Sequence, residues 1–151
     1  MEKNPCTITI GPLRFSYLHV WEPVAIEEGQ QKKYSVSAII PKSDKATIKT
    51  INQAVEQAKA AGKDSKWGGK IPATLKLPLR DGDEERPDDE AYKNSVFLNA
   101  HATTRPGVVD AARSPILDQE EVYSGAYGYL NITLYPYFAG GAKGVAAGFN
   151  H

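Results

Sequence analysis

Cysteine and net charge are what this 151-residue sequence has least of. A single cysteine, Cys6, cannot close an internal disulfide, and there is no Cys cluster to hold zinc. That usage fits a reducing cytosol. Eighteen basic side chains balance eighteen acidic ones, giving a formal net charge of zero. A protein that coats duplex DNA by bulk charge is therefore not expected, although a local basic groove remains open. No apolar run is long enough to span a membrane, and Met1-Glu-Lys-Asn-Pro-Cys6 lacks the basic-then-apolar layout of a signal peptide. Gly-x-Ser-x-Gly, His-Glu-x-x-His and phosphate-binding glycine loops are all missing. The three histidines, His19, His101 and His151, stand apart from one another in the sequence. An enzyme is not expected, and neither is a cofactor or a metal. Repeats and low-complexity segments are absent too, and the length corresponds to one domain, residues 1–151.

What the sequence does have is an unusual strand. In Gly125-Ala-Tyr-Gly-Tyr-Leu-Asn-Ile-Thr-Leu-Tyr-Pro-Tyr137, Ala126, Gly128, Leu130, Ile132 and Leu134 fall on one side of a period-two pattern. Tyr127, Tyr129, Asn131, Thr133, Tyr135 and Tyr137 fall on the other. Side chains alternate across a strand, so one set can fill a core while the other presents rings and hydrogen-bonding groups outward. Such a face suits stacking on unpaired bases. It also suits an ordinary half-buried strand, since tyrosine is a good strand former.

The remaining elements follow from the same periodicities. Thr7 to Leu18 reads as a strand broken at Gly11-Pro12, with Leu13, Phe15 and Tyr17 on one face and Arg14 and Ser16 on the other. A loop is expected from Trp21 through Gln30. Lys33 to Ile40 is the next strand, with Tyr34, Val36, Ala38 and Ile40 facing together. Ser43 is a good N-cap for a helix over about 44–61, with an apolar stripe of Ile48, Ile51, Val55 and Ala58 and Gly62 as its C-cap. Leu75, Leu77 and Leu79 allow a short edge strand. Ser95 to His101 alternates again: Val96, Leu98 and Ala100 point one way, Phe97, Asn99 and His101 the other. A short strand at 106–109 and a connector at 117–123 precede the tyrosine strand, and Lys143 to Phe149 closes the pattern with Val145, Ala147 and Phe149 on one face. Short strands rich in Gly and Pro with one main helix predict a mainly β domain, a small barrel or sandwich.

The segment Asp81-Gly-Asp-Glu-Glu-Arg-Pro-Asp-Asp-Glu90 concentrates acid. Its spacing does not meet that of an EF-hand loop, and Arg80 and Arg86 stand beside and within it. A solvated loop, or one tied by arginine pairs, is expected rather than a metal site. A metal-dependent nuclease built on this segment is the enzymatic alternative. If the loop lay across the tyrosines, Asp88 and Asp89 would compete with a polyanion there. Basic residues are spread along the chain: Arg14, Lys32, Lys33, Lys70, Lys76, Arg80, Arg105, Arg113 and Lys143. Single-stranded nucleic acid needs both parts, rings for bases and cations for phosphates.

Several segments together resemble a known family. They are Tyr34-Ser-Val-Ser-Ala-Ile-Ile-Pro-Lys-Ser-Asp44, Leu75-Lys-Leu-Pro-Leu-Arg-Asp-Gly-Asp83 with Ala91-Tyr92, Pro115-Ile-Leu-Asp-Gln-Glu-Glu-Val-Tyr-Ser-Gly125, and Lys143-Gly-Val-Ala-Ala-Gly-Phe-Asn150. They are similar to a phage and prophage family, first catalogued as a domain of unknown function and described as single-stranded-DNA-binding proteins of the replication module. The resemblance implies an OB-like fold, a five-stranded Greek-key barrel with an inserted helix. It also implies non-enzymatic binding and protection of single-stranded DNA during phage replication or recombination, in a role like that of the podophage proteins. Phage replication proteins, such as the polymerase or the helicase–primase, and a second copy of the chain are the further partners it admits. Members often end in a flexible acidic tail; this sequence stops at Phe149-Asn150-His151, directly after an expected strand.

On this reading Tyr127, Tyr129, Tyr135, Phe97 and Trp21 are the stacking platforms. Arg14, Lys33, Arg80, Arg105 and Lys143 contact phosphates, and Asn99 and Asn131 add sequence-tolerant hydrogen bonds. A phage structural or assembly β-domain that binds protein rather than DNA is the alternative.

Overall fold

The computed structural model describes residues 6–25, 29, 31–110, 112, 114–116, 122–139 and 142–150. Arg113, His151 and most of the expected connector at 117–123 lie outside them. The described elements run β1 (Thr7–Val24), β2 (Lys33–Pro41), α1 (Lys45–Ser65), β3 (Leu79–Asp81), α2 (Gly82–Glu85), β4 (Ser95–Ala102), β5 (Tyr127–Ala139) and β6 (Ala142–Phe149).

Five strands close on themselves. The sheet order is β2-β1-β5-β6-β4, and β2 also pairs with β4, which completes the barrel. Every pairing around the ring is antiparallel except β4 with β6, which is parallel at Ala100–Ala147 and His101–Gly148. This is the OB-like architecture, and closure removes the exposed edges that a flat sheet would leave. Short β3 lies outside the ring and pairs with β4 beyond the reach of β6. Just before it, Lys76 bridges to Gly144, so the Leu-rich segment forms an isolated bridge followed by a three-residue strand.

The inward rows are those the alternation predicts: Val36, Ala38 and Ile40; Leu98 and Ala100; Leu130, Ile132 and Leu134; Val145, Ala147 and Phe149. Strand β1 departs from simple alternation. Its pairing with β5 slips between Ile10 and Leu13, and its pairing with β2 slips between Ser16 and His19. Each slip exchanges the two faces of a strand. Ile10 points inward, Leu13 and Phe15 continue inward after the first slip, and Val20 does so after the second. Tyr17 sits at the second slip with φ of 46° and is 52% exposed, so it does not share the buried face of Leu13 and Phe15. The chain also stays in β1 through Trp21-Glu22-Pro23 rather than entering a loop there, because Val24 still pairs with Lys33.

Helix α1 is capped by Asp44, not Ser43. The Asp44 carboxylate accepts from the Thr47 backbone N–H at 3.2 Å and from its hydroxyl at 2.7 Å. Ile51, Ala54, Val55 and Ala58 join the barrel core, so the helix closes one end of it. Gly62 is not the C-cap. It lies buried within a helix that runs on to Ser65, where a Cβ would stand 2.5 Å from that of Pro136. Trp67 follows the helix and anchors it, donating its indole N–H to the Tyr137 carbonyl at 3.2 Å. At the other end of β5, Val108 and Val122 of the β4–β5 connector pack on the core. Trp21 ties that connector down by donating to the Val122 carbonyl at 3.2 Å.

Candidate nucleic-acid interface

The outward row of β5 is open over its first half. Tyr127 is 73% exposed and Tyr129 66%. Residues two apart on a strand lie about 6.6 Å apart, so the two rings stand side by side on one face. The Tyr129 ring is seated over Gly11 on β1. A Cβ at Gly11 would fall 2.8 Å from both the Tyr129 ring and the Gly128 carbonyl, and its φ of 146° also demands glycine. Arg14 pairs with Tyr127 across β1 and β5, is exposed, and has no ion-pair partner among the described residues.

Further along the row the polar side chains are tied to one another. Asn131 donates to the Thr9 hydroxyl at 2.9 Å, and Asn150 donates to the Asn131 side-chain oxygen at 2.8 Å and to the Thr133 hydroxyl at 3.2 Å. Thr7 and Thr133 share a hydroxyl contact at 2.9 Å. Asn131 is thus part of a ladder that crosses three chain segments. Beyond it, the rings of Tyr135 and Tyr137 lie towards β6, whose outward positions are Gly144, Ala146 and Gly148. A Cβ at Gly144 would stand 2.8 Å from the Tyr137 hydroxyl. The row of small residues makes room for the rings, a period-two signal in the sequence that the aromatic pattern overshadowed. Burial, and secondarily Tyr137, pushes the Tyr135 hydroxyl pKa up, so it remains a neutral donor.

Tyr135 forms one wall of a groove of about 460 Å3 between β4, β5 and β6. Lys33, His101, Arg105, Thr133 and Asn150 also line it. Lys33 leaves the start of β2, His101 the outward row of β4, and Arg105 the connector that follows. Arg105 lies 5.6 Å from the centre of the Trp21 ring. Trp21 is half-buried, with its indole N–H donated to the Val122 carbonyl and its ring beside Arg105. Asn99 stands in the same outward row as His101, two residues before it.

The other sequence-predicted residues are elsewhere. Phe97 points outward from the barrel, yet it is only 1% exposed. A cap formed by residues 81–94 covers it. Tyr92 meets Phe97 edge-on at 5.1 Å and donates its hydroxyl to Ser37 at 2.9 Å, and Ile39 completes this second small core. The Arg86 guanidinium lies within 4.8 to 4.9 Å of the rings of Tyr17, Tyr92 and Phe97. Phe97 thus presents no ring face to a base. Arg80 is held by Glu85, to which its Nε donates at 2.9 and 3.0 Å and its Nη2 donates as well. A guanidinium so matched is not a free phosphate contact. Lys143 occupies the face of β6 opposite to Gly144 and sits 5.0 Å over Phe138, away from the Tyr127–Tyr135 row.

The acidic segment is tied down largely by a lysine that no sequence pattern marks. Lys42 pairs with Asp81 at 3.0 Å and Asp83 at 2.8 Å. The Asp83 carboxylate also accepts from the Asn94 backbone N–H at 3.0 Å, and Asp81 caps α2 by accepting from the Asp83 N–H at 2.9 Å. Lys42 holds both carboxyls below their ordinary pKa. The segment lies over β2 and β4, not across the β5 tyrosines, so it does not cover that row as a competitor would. No group of three or more metal-ligating side chains occurs among the described residues.

Residues 6–151 match the family described as Enterobacter phage Enc34, ssDNA-binding protein. Protein p50 of Acyrthosiphon pisum secondary endosymbiont phage 1 is 29% identical over 150 residues, covering 93% of this chain and 78% of its own. The single-stranded DNA-binding protein from bacteriophage Enc34, solved in complex with ssDNA, superposes with a TM-score of 0.82 at 27% identity. That match covers 95% of this chain and 82% of the Enc34 protein. Bacteriophage T7 gp2.5, a single-stranded DNA binding protein, superposes at 0.63 with 15% identity over 95% of this chain and 82% of its own, a likeness of fold.

Proposed function

The chain belongs to the family of the Enterobacter phage Enc34 ssDNA-binding protein, and on that premise we propose that it binds and protects single-stranded DNA during phage or prophage replication or recombination. The observation that carries the reading onto this chain's own surface is the open row of β5, where two solvent-exposed tyrosines stand beside the exposed Arg14. Bases stack on Tyr127 and Tyr129, at about 1–3 kcal/mol per ring, and Arg14 takes an adjoining phosphate. Tyr135, Lys33 and Arg105 extend the path at the far end of the same row. Asn131 and Asn99 border that path, Asn131 within its own hydrogen-bonded ladder.

The role is binding without chemistry, carried by one nucleic-acid-binding domain, and its place is the host cytoplasm. Among the described residues no helix is long and apolar enough to cross a membrane. Replication proteins of the phage and a second copy of the chain are the macromolecular partners that this role would bring.

Fluorescence anisotropy with a labelled oligo-dT of about thirty nucleotides tests the reading, at two salt concentrations and with duplex as control. Salt-sensitive binding to the single strand and little to duplex is expected. Absence of binding at low salt overturns the assignment and leaves a protein-binding assembly domain in its place.

A further inference from the structure

The groove between β4, β5 and β6 has a composition that the stacking row does not explain. Three side chains able to carry positive charge, Lys33, His101 and Arg105, converge on it from three different segments. No carboxylate appears among the described residues that line it. The remaining polar side chains are the hydroxyls of Thr103, Thr104, Thr133 and Tyr135 and the Asn150 amide. Charge of one sign gathered in a concave site without a counter-ion is unfavourable unless an anion joins it. The donors present suit the oxygens of a phosphate.

We propose that this groove seats a phosphodiester of the bound single strand, with His101 as its third cationic ligand, so that binding takes up a proton. The inference rests on the single-strand reading above and adds a residue and a pH dependence to it. Position supports the assignment. His101 is at the end of the outward row of β4, opposite Ser35 of β2 and Gly148 of β6, and neither neighbour carries charge. The groups that face it are Lys33 from β2, Arg105 from the connector, and Tyr135 from β5. Burial first, and Lys33 second, push the His101 pKa below the ordinary imidazole value, so the free protein holds it neutral near pH 7. A phosphate laid between His101 and Lys33 offsets that repulsion and favours the imidazolium. By linkage, affinity then rises as the pH falls, by up to about tenfold per pH unit while the free and bound forms differ by one proton.

The test is a pair of measurements on the whole chain with oligo-dT, whose thymines do not titrate in the range used. Anisotropy titrations from about pH 5.5 to 8.5 compare the wild type with His101→Gln. The wild type should bind more tightly at the acid end, and the substitution should remove most of that slope. NMR of the imidazole resonances, with His19 as internal reference, should show the His101 pKa rising when oligo-dT is added. An unchanged pH slope in His101→Gln, or a His101 pKa that stays or falls on binding, overturns the proposal. Binding by the wild type at pH 8.5 tests the single-strand reading separately, because His101 is neutral there in the free protein.

Discussion

Two outward faces of the same barrel carry aromatic rings beside arginines, and they have opposite fates. On β4 the ring of Phe97 is roofed by Tyr92 and Arg86, and the neighbouring Arg80 is matched by Glu85. On β5 the rings of Tyr127 and Tyr129 stand in solvent beside Arg14, which has no ion-pair partner among the described residues. In OB barrels the face of the second and third strands commonly receives oligonucleotides. Here those strands are β2 and β4, and half of their outward face has become a second small core. The open half, at Asn99 and His101, leads into the groove shared with Tyr135. Alternation of aromatic and aliphatic residues therefore identifies an outward face, while the chain segment folded over it decides whether that face packs or stays open to solvent.

The most disruptive way to break this contrast is to remove a ring from the covered face. Phe97→Ala should cost about 3–5 kcal/mol of stability, as for other fully buried phenylalanines, read from urea unfolding. The folded fraction should still bind oligo-dT. Removing rings from the open face should do the reverse. Tyr127→Ala with Tyr129→Ala should cost about 2 kcal/mol or more of binding, roughly thirtyfold in affinity, with stability changed by about 0.5 kcal/mol or less. A double variant that melts early would place these rings with Phe97 as packing residues.

The cations sharpen the contrast further. Lys33→Gln with Arg105→Gln should flatten the dependence of log affinity on log salt by about 0.7 for each phosphate no longer neutralised. Arg80→Gln should leave that slope unchanged, since its guanidinium is already matched by Glu85. The smallest effect is a pH response of the cap. Because Lys42 holds Asp81 and Asp83 below their ordinary value of 3.8, their contribution to stability is complete above that pH. It is lost as the pH falls through the lowered folded values. Lys42→Met should shrink the acid limb of a stability–pH curve without altering affinity at neutral pH.

Much of this was legible in the sequence where the pattern is regular. The faces of β5 follow from strict alternation, and the stripe of α1 from its helical spacing. The faces of β1 did not follow, because two slips, near Gly11–Pro12 and near Tyr17, each exchange inside for outside. Gly62 resembled a helix stop and is a close-packing position instead, since the partner that requires it, Pro136, lies in a distant strand. The candidate site shows the same division. Tyr127, Tyr129 and Arg14 fall together because they share one pairing of strands. Phe97 and Arg80 belong to the cap instead, whose fastening by Lys42 joins residues 39 positions apart from Asp81. The groove of Lys33, His101, Arg105 and Tyr135 is assembled from segments so far apart that no local spacing announces it.

Photo-crosslinking maps the strand's path over the protein most directly. Oligo-dT carrying 5-iodouracil, irradiated in complex with the protein and read by peptide mass spectrometry, reports which rings touch bases. Adducts are expected on Tyr127 and Tyr129 and none on Phe97 or Tyr92. Adducts on Phe97 or Tyr92, with the β5 tyrosines unmodified, would mean that the cap opens to admit DNA and would contradict that expectation.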